Sequence, residues 1–177
     1  RNIYRLTITD NAMDIPLKNR WGHYFINLHP GEHNAQWRMI GMIEWLLSDQ
    51  GADFRKRSIA HFVLMISPDA PEKGWYRVNA QGVDMNRSYA PEGADETNQA
   101  HEAYMVQKDL EELMKSETPV NTLWGMHTWQ DIVEPLVYFT EDERLGPWTD
   151  WRDALLRIDR NQYIKPLALR EKSGYGP

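Results

Sequence analysis

A near-continuous apolar run, Tyr24-Phe-Ile-Asn-Leu28, passes through His29-Pro-Gly-Glu32 into a stretch of helical periodicity that opens near Asn34. A strand apolar on both sides belongs inside a sheet covered on both faces, so this strand-turn-helix passage already points to an α/β arrangement. The turn itself carries chemistry. A His and a Glu three residues apart, where a strand hands over to a helix, can hold one metal ion from two sides. A third ligand must then come from elsewhere, and His127 in Leu123-Trp-Gly-Met-His127-Thr-Trp-Gln130 is placed to supply it. Two imidazoles and one carboxylate leave a coordination position for water, which is the catalytic pattern for zinc. The same donors suit several other divalent metals.

The rest of the chain alternates in the same way. Residues 3–8, 23–28, 61–66 and 122–127 read as strands, and 133–139 holds a further candidate. Between them, Asn34 is the expected cap of a helix in which Ala35, Met39, Met42, Ile43, Leu46 and Leu47 recur at helical spacing, with Gly51 at its exit. A polar stretch over 90–98 leads into a long helix with Ala100, Ala103, Tyr104, Leu110, Leu113 and Met114 on one face. Residues 148–160 read as another helix, and the tail from Lys165 as loop. Strands alternating with helices predict a sheet with helices packed on its faces. In such open sheets, sites form at the carboxyl ends of strands, where the loops carrying His29, Glu32 and His127 all fall.

Composition removes several classes of function. At 177 residues one domain is expected, with enough chain to bury a real core. A net charge of −6 argues against a general nucleic-acid or membrane-surface binder. The one basic cluster, Arg55-Lys56-Arg57, reads as a solvated loop or helix end. There is no cysteine, so neither disulfides nor thiolate zinc sites arise. No apolar run approaches the length of a membrane span and no signal-peptide pattern opens the chain. The first residue is Arg, which fits a processed, trimmed or excised product.

The segment Arg77-Val-Asn-Ala-Gln-Gly82-Val83-Asp84-Met85-Asn86-Arg87-Ser-Tyr89 carries a further pattern. With it the chain resembles the zinc carboxypeptidases of the M14, carboxypeptidase A-like family, where H-x-x-E is followed by R-x-N-x-x-G-V-D-L-N-R-N-F and then by a third zinc-binding His. His29-Pro-Gly-Glu-His-Asn-Ala-Gln-Trp37-Arg-Met-Ile-Gly41 is similar to the cytosolic carboxypeptidase branch, which reads H-P-G-E-x-N-x-S-W-x-M-x-G. Ser67-Pro-Asp69 and Gly74-Trp-Tyr-Arg77 are similar to that branch's N-P-D-G-V-x-x-G-x-Y-R. The motifs keep the family's order from about Leu6 to Gln130.

The resemblance implies a zinc-carboxypeptidase-like α/β fold, a mixed and mostly parallel sheet flanked by helices, with residues 1–177 as part of the catalytic domain. It implies one Zn2+ per chain on His29, Glu32 and His127, with Asp84 orienting His29. It assigns Arg77 to the carbonyl that becomes the oxyanion, and Asn86 with Arg87 to the substrate's terminal carboxylate. The implied substrate is the C-terminus of a peptide or protein, and the implied location cytoplasmic. His33 is expected at the surface or behind the ligands, and His23, His61 and His101 in structural roles. Trp37 and Trp45 are expected in the core, with Trp129 as the aromatic residue best placed to line a pocket.

Two departures are small: Met85 for Leu, and Ser88-Tyr89 for Asn-Phe. A third is larger. The family's general-base Glu lies well downstream of the third ligand, and Glu134, Glu141, Glu143 and Glu171 are the candidates within this chain, none in a matching strand context. The chain is therefore expected to stop short of the last strands. Two alternatives share the motifs: an amidohydrolase of the aspartoacylase and succinylglutamate-desuccinylase type, and an inactive zinc- or peptide-binding module.

Overall fold

The computed structural model describes residues 2–11, 14–89 and 99–128, together with 138–139, 157 and 168–169. The chain divides into two compact units, Arg1–Thr128 and Trp129–Pro177. In the first, strands β1 (Leu6–Ile8), β2 (Trp21–Asn27), β3 (Ser58–Val63) and β4 (Val120–Met126) form a sheet of order β1-β3-β2-β4. β2 runs parallel to both β3 and β4, while β1 runs antiparallel to β3. The sheet is thus mixed and mostly parallel, as expected. In the second unit, β5 (Tyr138–Phe139) and β6 (Ala168–Leu169) form a parallel pair with Tyr138 opposite Ala168.

Alternation along the strands builds two cores. Tyr24, Ile26 and Leu28 face helix α4 (His101–Lys115), packing with Val63, Ile66, Met85, Ala103 and Val106. Phe25, Ala60 and Phe62 face helix α1 (His33–Leu47), packing with Ile8, Met39 and Leu46. β2 is buried on both faces, which is why it reads as a continuous apolar run. The pairings shift the strand bounds: β2 begins two residues earlier than expected because Trp21 pairs with Ser58, β3 starts three residues earlier, and β1 is limited to Leu6–Ile8.

Several expectations need correction. Trp37 is not in the core but 69% exposed, and Trp45 and Leu47 are exposed too. The buried stripe of α1 is Ala35, Met39 and Leu46. Trp37 lies two residues, about 200° of helical turn, from both Ala35 and Met39. Met114 of α4 is likewise exposed. Nor is Asn34 the cap. The helix begins at His33, and Glu32 holds the N-cap position without capping, its carboxylate being engaged elsewhere. Two short helices went unread, α2 (Ala52–Arg57) and α3 (Ala70–Lys73). The basic cluster ends α2 as expected, with Arg55 donating to the Leu46 carbonyl and, at 2.7 Å, to that of Ser48, behind α1. Of the helix expected over 148–160 only Arg157 is described, and it is helical; the strand residues before 138, the polar stretch 90–98 and Trp129 lie outside the described residues.

Gly41 sits in the middle of α1, and a methyl group there would meet no atom within 4 Å. Gly41→Ala is expected to raise the unfolding free energy by about 0.5–1 kcal/mol, by restricting the unfolded backbone and favouring helix. Denaturant melts of the two chains check this, and a loss of stability would mean that something covers this face.

His61 gives the sheet a pH dependence. Its ring is 4% exposed, with Nδ1 2.9 Å from Thr7 Oγ1 and with Tyr24, Arg5 and Asp109 as its titratable neighbours. Burial, helped by the Arg5 charge and opposed by Asp109, lowers its pKa from 6.5 to about 4. Above pH 6.5 the ring is neutral folded and unfolded, and adds nothing. Below that the unfolded chain takes up a proton that the folded chain refuses. Stability is expected to fall between pH 6.5 and about 4, by about 3 kcal/mol in total. Melts across this range check the slope, which His61→Gln should flatten.

Candidate metal centre

The parallel register of β2 and β4 creates the site. Asn27 stands opposite Met126, so the residues leaving the two strands emerge side by side. Buried Asn27 fastens these ends together: its Nδ2 donates to the Met126 carbonyl at 3.2 Å, and its Oδ1 accepts from Gln36 Nε2 at 3.3 Å. Gln36 also donates to the Pro30 carbonyl at 3.1 Å, tying the first turns of α1 to the His29–Glu32 turn. His127 therefore arrives beside His29, with ring centroids 4.9 Å apart.

Glu32 stands between the two rings. Its Oε1 lies 2.7 Å from His29 Nδ1, and its Oε2 lies 3.0 Å from His127 Nδ1 and accepts from the Thr128 N–H at 2.8 Å. One donor atom from each of His29, Glu32 and His127 falls within 4.8 Å of the others. His29 and Glu32 are 1% and 4% exposed, whereas the His127 side chain is 32% exposed, giving the cluster one accessible flank. Burial pushes the Glu32 carboxyl up, but the neighbouring imidazoles of His127 and His29 and the Thr128 N–H outweigh it and hold the pKa at about 2.

The other nitrogen of His29 has its own carboxylate: Nε2 lies 3.0 Å from Asp84 Oδ1. A neutral imidazole carries one N–H, so it can donate to only one of two carboxylates. With Nε2–H given to Asp84, the Nδ1 lone pair faces Glu32, an arrangement that a cation between them relieves. The donor set, its burial and this orientation fit a divalent metal ion.

Asp84 joins this cluster to the loop before it. Its Oδ2 accepts from Arg77 Nε at 2.6 Å, and its Oδ1 also accepts from the Asn86 N–H at 2.9 Å. Burial raises the Asp84 pKa, but His29, Arg77 and the Asn86 N–H lower it further, leaving it below the usual range. Asp84 thereby caps the 3-10 turn Met85–Arg87, whose Met85 is fully buried under α4. Asn86 enters the network through its backbone, and Arg87 follows, exposed, with Nη1 donating to the Asn86 carbonyl at 3.0 Å.

The remaining histidines stand apart in the fold. His33 and His101 are exposed on the first turns of their helices, and His23 Nδ1 lies 2.7 Å from Thr122 Oγ1 within the sheet. Several contributors were not foreseen. Arg38 donates through Nη2 to the His127 carbonyl and through Nε to that of Asn34 at 3.3 Å, bracing the end of β4 against α1. Thr128 contributes only its backbone. Asn79 lies inside the Arg77–Tyr89 motif, but nothing in that pattern signals its part in holding the loop. The candidates Glu134, Glu141, Glu143 and Glu171 lie outside the described residues.

No family model matches the chain. Among curated proteins, it is 35% identical over 92 residues to cytosolic carboxypeptidase 2 of Xenopus tropicalis, covering 50% of this chain and 10% of that protein. It is 34% identical over 89 residues to cytosolic carboxypeptidase 3 of Mus musculus, covering 49% of this chain and 9% of that one. The chain thus spans about a tenth of the length of these curated relatives. Among solved structures, a metallo-carboxypeptidase from Burkholderia cenocepacia superposes on 97% of this chain and 46% of its own, with a TM-score of 0.73 and 19% identity. One from Pseudomonas aeruginosa, in complex with (2-guanidinoethylmercapto)succinic acid, superposes on 98% of this chain and 45% of its own, at 0.65 and 22%. The fold is that of the metallo-carboxypeptidases. The chain itself is M14 carboxypeptidase-like, with cytosolic carboxypeptidases as its relatives in sequence.

Proposed function

We propose that this chain forms part of a zinc-dependent metallocarboxypeptidase that removes C-terminal residues from peptides or proteins in the cytoplasm. The observation that carries this reading is the His29–Glu32–His127 cluster, with the far nitrogen of His29 already engaged by Asp84. These three side chains would hold one Zn2+. When bound, the ion supplies a Lewis acid that lowers the pKa of a water and polarises a carbonyl.

The chain's own residues supply the rest. Asp84 keeps the His29 proton on Nε2, leaving Nδ1 as the ligand atom. The same carboxylate fixes Arg77 by its Nε, so that the guanidinium is held rather than searching. Its remaining N–H groups are assigned to the carbonyl oxygen as negative charge grows there, a role whose loss typically costs about 100- to 1000-fold in rate. Asn86 and Arg87 are assigned to the terminal carboxylate, which a guanidinium meets in two parallel hydrogen bonds. That pair confers the preference for a free C-terminus.

The test compares peptides ending in a free carboxylate with their amides, on the zinc-loaded chain. At least tenfold tighter binding of the free acids is expected, with Arg87→Ala removing the difference. Equal binding of acid and amide, or turnover of N-acyl amino acids instead, would overturn the reading.

A further inference from the structure

The loop that presents Arg77 and Asp84 is wound around one buried side chain. Asn79 is 1% exposed. Its Oδ1 accepts from the N–H groups of Gln81 at 3.0 Å and Val83 at 2.9 Å. Its backbone N–H donates to the Val83 carbonyl and its carbonyl accepts from the Gly82 N–H, both at 3.0 Å. Gly82, at φ +78°, provides the left-handed residue that closes the turn. The stems meet in an antiparallel bridge between Val78 and Asp84, which sets Arg77 and Asp84 side by side. One contact of Asn79 leaves the loop: Nδ2 donates at 2.9 Å to Glu102 Oε2, in the first turn of α4.

We propose that Glu102 is a positioning residue for the metal centre, acting through Asn79 as a latch that fixes the Arg77–Asp84 hairpin against α4. Among the described residues, the hydrogen bond of Glu102 goes to Asn79, not to a residue assigned to the reaction. Its carboxylate orients the Asn79 amide, whose oxygen is then aimed at the two loop N–H groups. The stems consequently hold Asp84 against His29 and Arg77 against Asp84. An unlatched Asn79 can rotate its amide, and the two loop N–H groups lose their acceptor. The zinc readout below rests on the metal centre proposed above; the loop readout does not.

The experiment follows Glu102→Ala and Glu102→Gln by amide hydrogen exchange and by zinc affinity in competition with a chromogenic chelator. In Glu102→Ala, exchange at the Gln81 and Val83 amides should accelerate at least tenfold, and zinc affinity should fall about tenfold, the scale of losing a ligand's supporting partner. Glu102→Gln keeps an acceptor oxygen in place and should return both to within about threefold of wild type. Unchanged exchange in a folded Glu102→Ala chain would overturn the latch. Faster exchange with unchanged zinc affinity would overturn its role in positioning the centre. Should Glu102→Ala fail to fold, Glu102→Ser, shorter but polar, is read in its place. A wild-type chain that binds no zinc would sink the metal reading, while the exchange data would still decide the latch.

Discussion

Glu32→Ala is expected to abolish zinc binding and to lower the stability of the metal-free chain by about 3 kcal/mol, the scale of removing one partner from a buried ionic network. The carboxylate is 4% exposed and serves three groups: His29, His127 and the Thr128 N–H. Alanine leaves all three facing a void. A second measurement separates the two effects. Saturating zinc should stabilise the wild-type chain by about 4 kcal/mol at a thousandfold excess over Kd, and should leave Glu32→Ala where it was. Denaturant melts with and without zinc supply both numbers. An alanine variant that still gains stability from zinc as wild type does would remove Glu32 from the ligand set.

The second large effect comes from a residue with no side chain. A Cβ on Gly31 would lie 2.3 Å from Tyr76 Cδ2 and 2.7 Å from Tyr76 Cα. The tyrosine ring can swing away, but the Cα is backbone and cannot yield alone. Gly31 N–H also donates to the Tyr76 carbonyl at 2.7 Å, so the two loops are already in direct contact. Gly31→Ala should therefore push the Tyr76–Asp84 hairpin outward and pull Asp84 from His29. The expected cost is about 1–3 kcal/mol of stability, the usual price of overpacking, with a 10- to 100-fold loss of zinc affinity as the supporting carboxylate retreats. Gly41→Ala, the same substitution where a methyl group meets open space, is the matched control. If both variants behave alike, the close approach of the two loops is not what positions Asp84.

The parts of this molecule that could be read from the chain are those set by local chemistry. β2 was legible because a strand covered on both faces must be apolar throughout, and the long helices because their buried residues recur at helical spacing. The approach of His29, Glu32 and His127 to one another was legible because His29 and Glu32 share one turn and His127 directly follows a strand. The roles given to Asp84, Arg77, Asn86 and Arg87 came from family resemblance alone. What stayed hidden depends on distant partners. Trp37 looked like a core residue by type, and only the position of the sheet decides which side of α1 is buried. Asn34 looked like a cap because it precedes the apolar stripe, yet the helix starts earlier, from a Glu32 turned toward the imidazoles. Arg38 reaches a carbonyl 89 residues away and Asn79 a carboxylate 23 residues away, pairings that no local periodicity encodes. The short helices α2 and α3 hold too few residues for any repeat to emerge.

The most direct measurement is the metal content of the purified, folded chain by mass spectrometry after zinc loading and dialysis, beside His127→Ala. The proposed centre predicts close to one zinc per chain, lost in the variant, since His127, directly after β4, is the one member of the candidate cluster outside the His29–Glu32 turn. A folded wild-type chain that retains no zinc would contradict the metal centre, and with it the hydrolytic function proposed for this polypeptide.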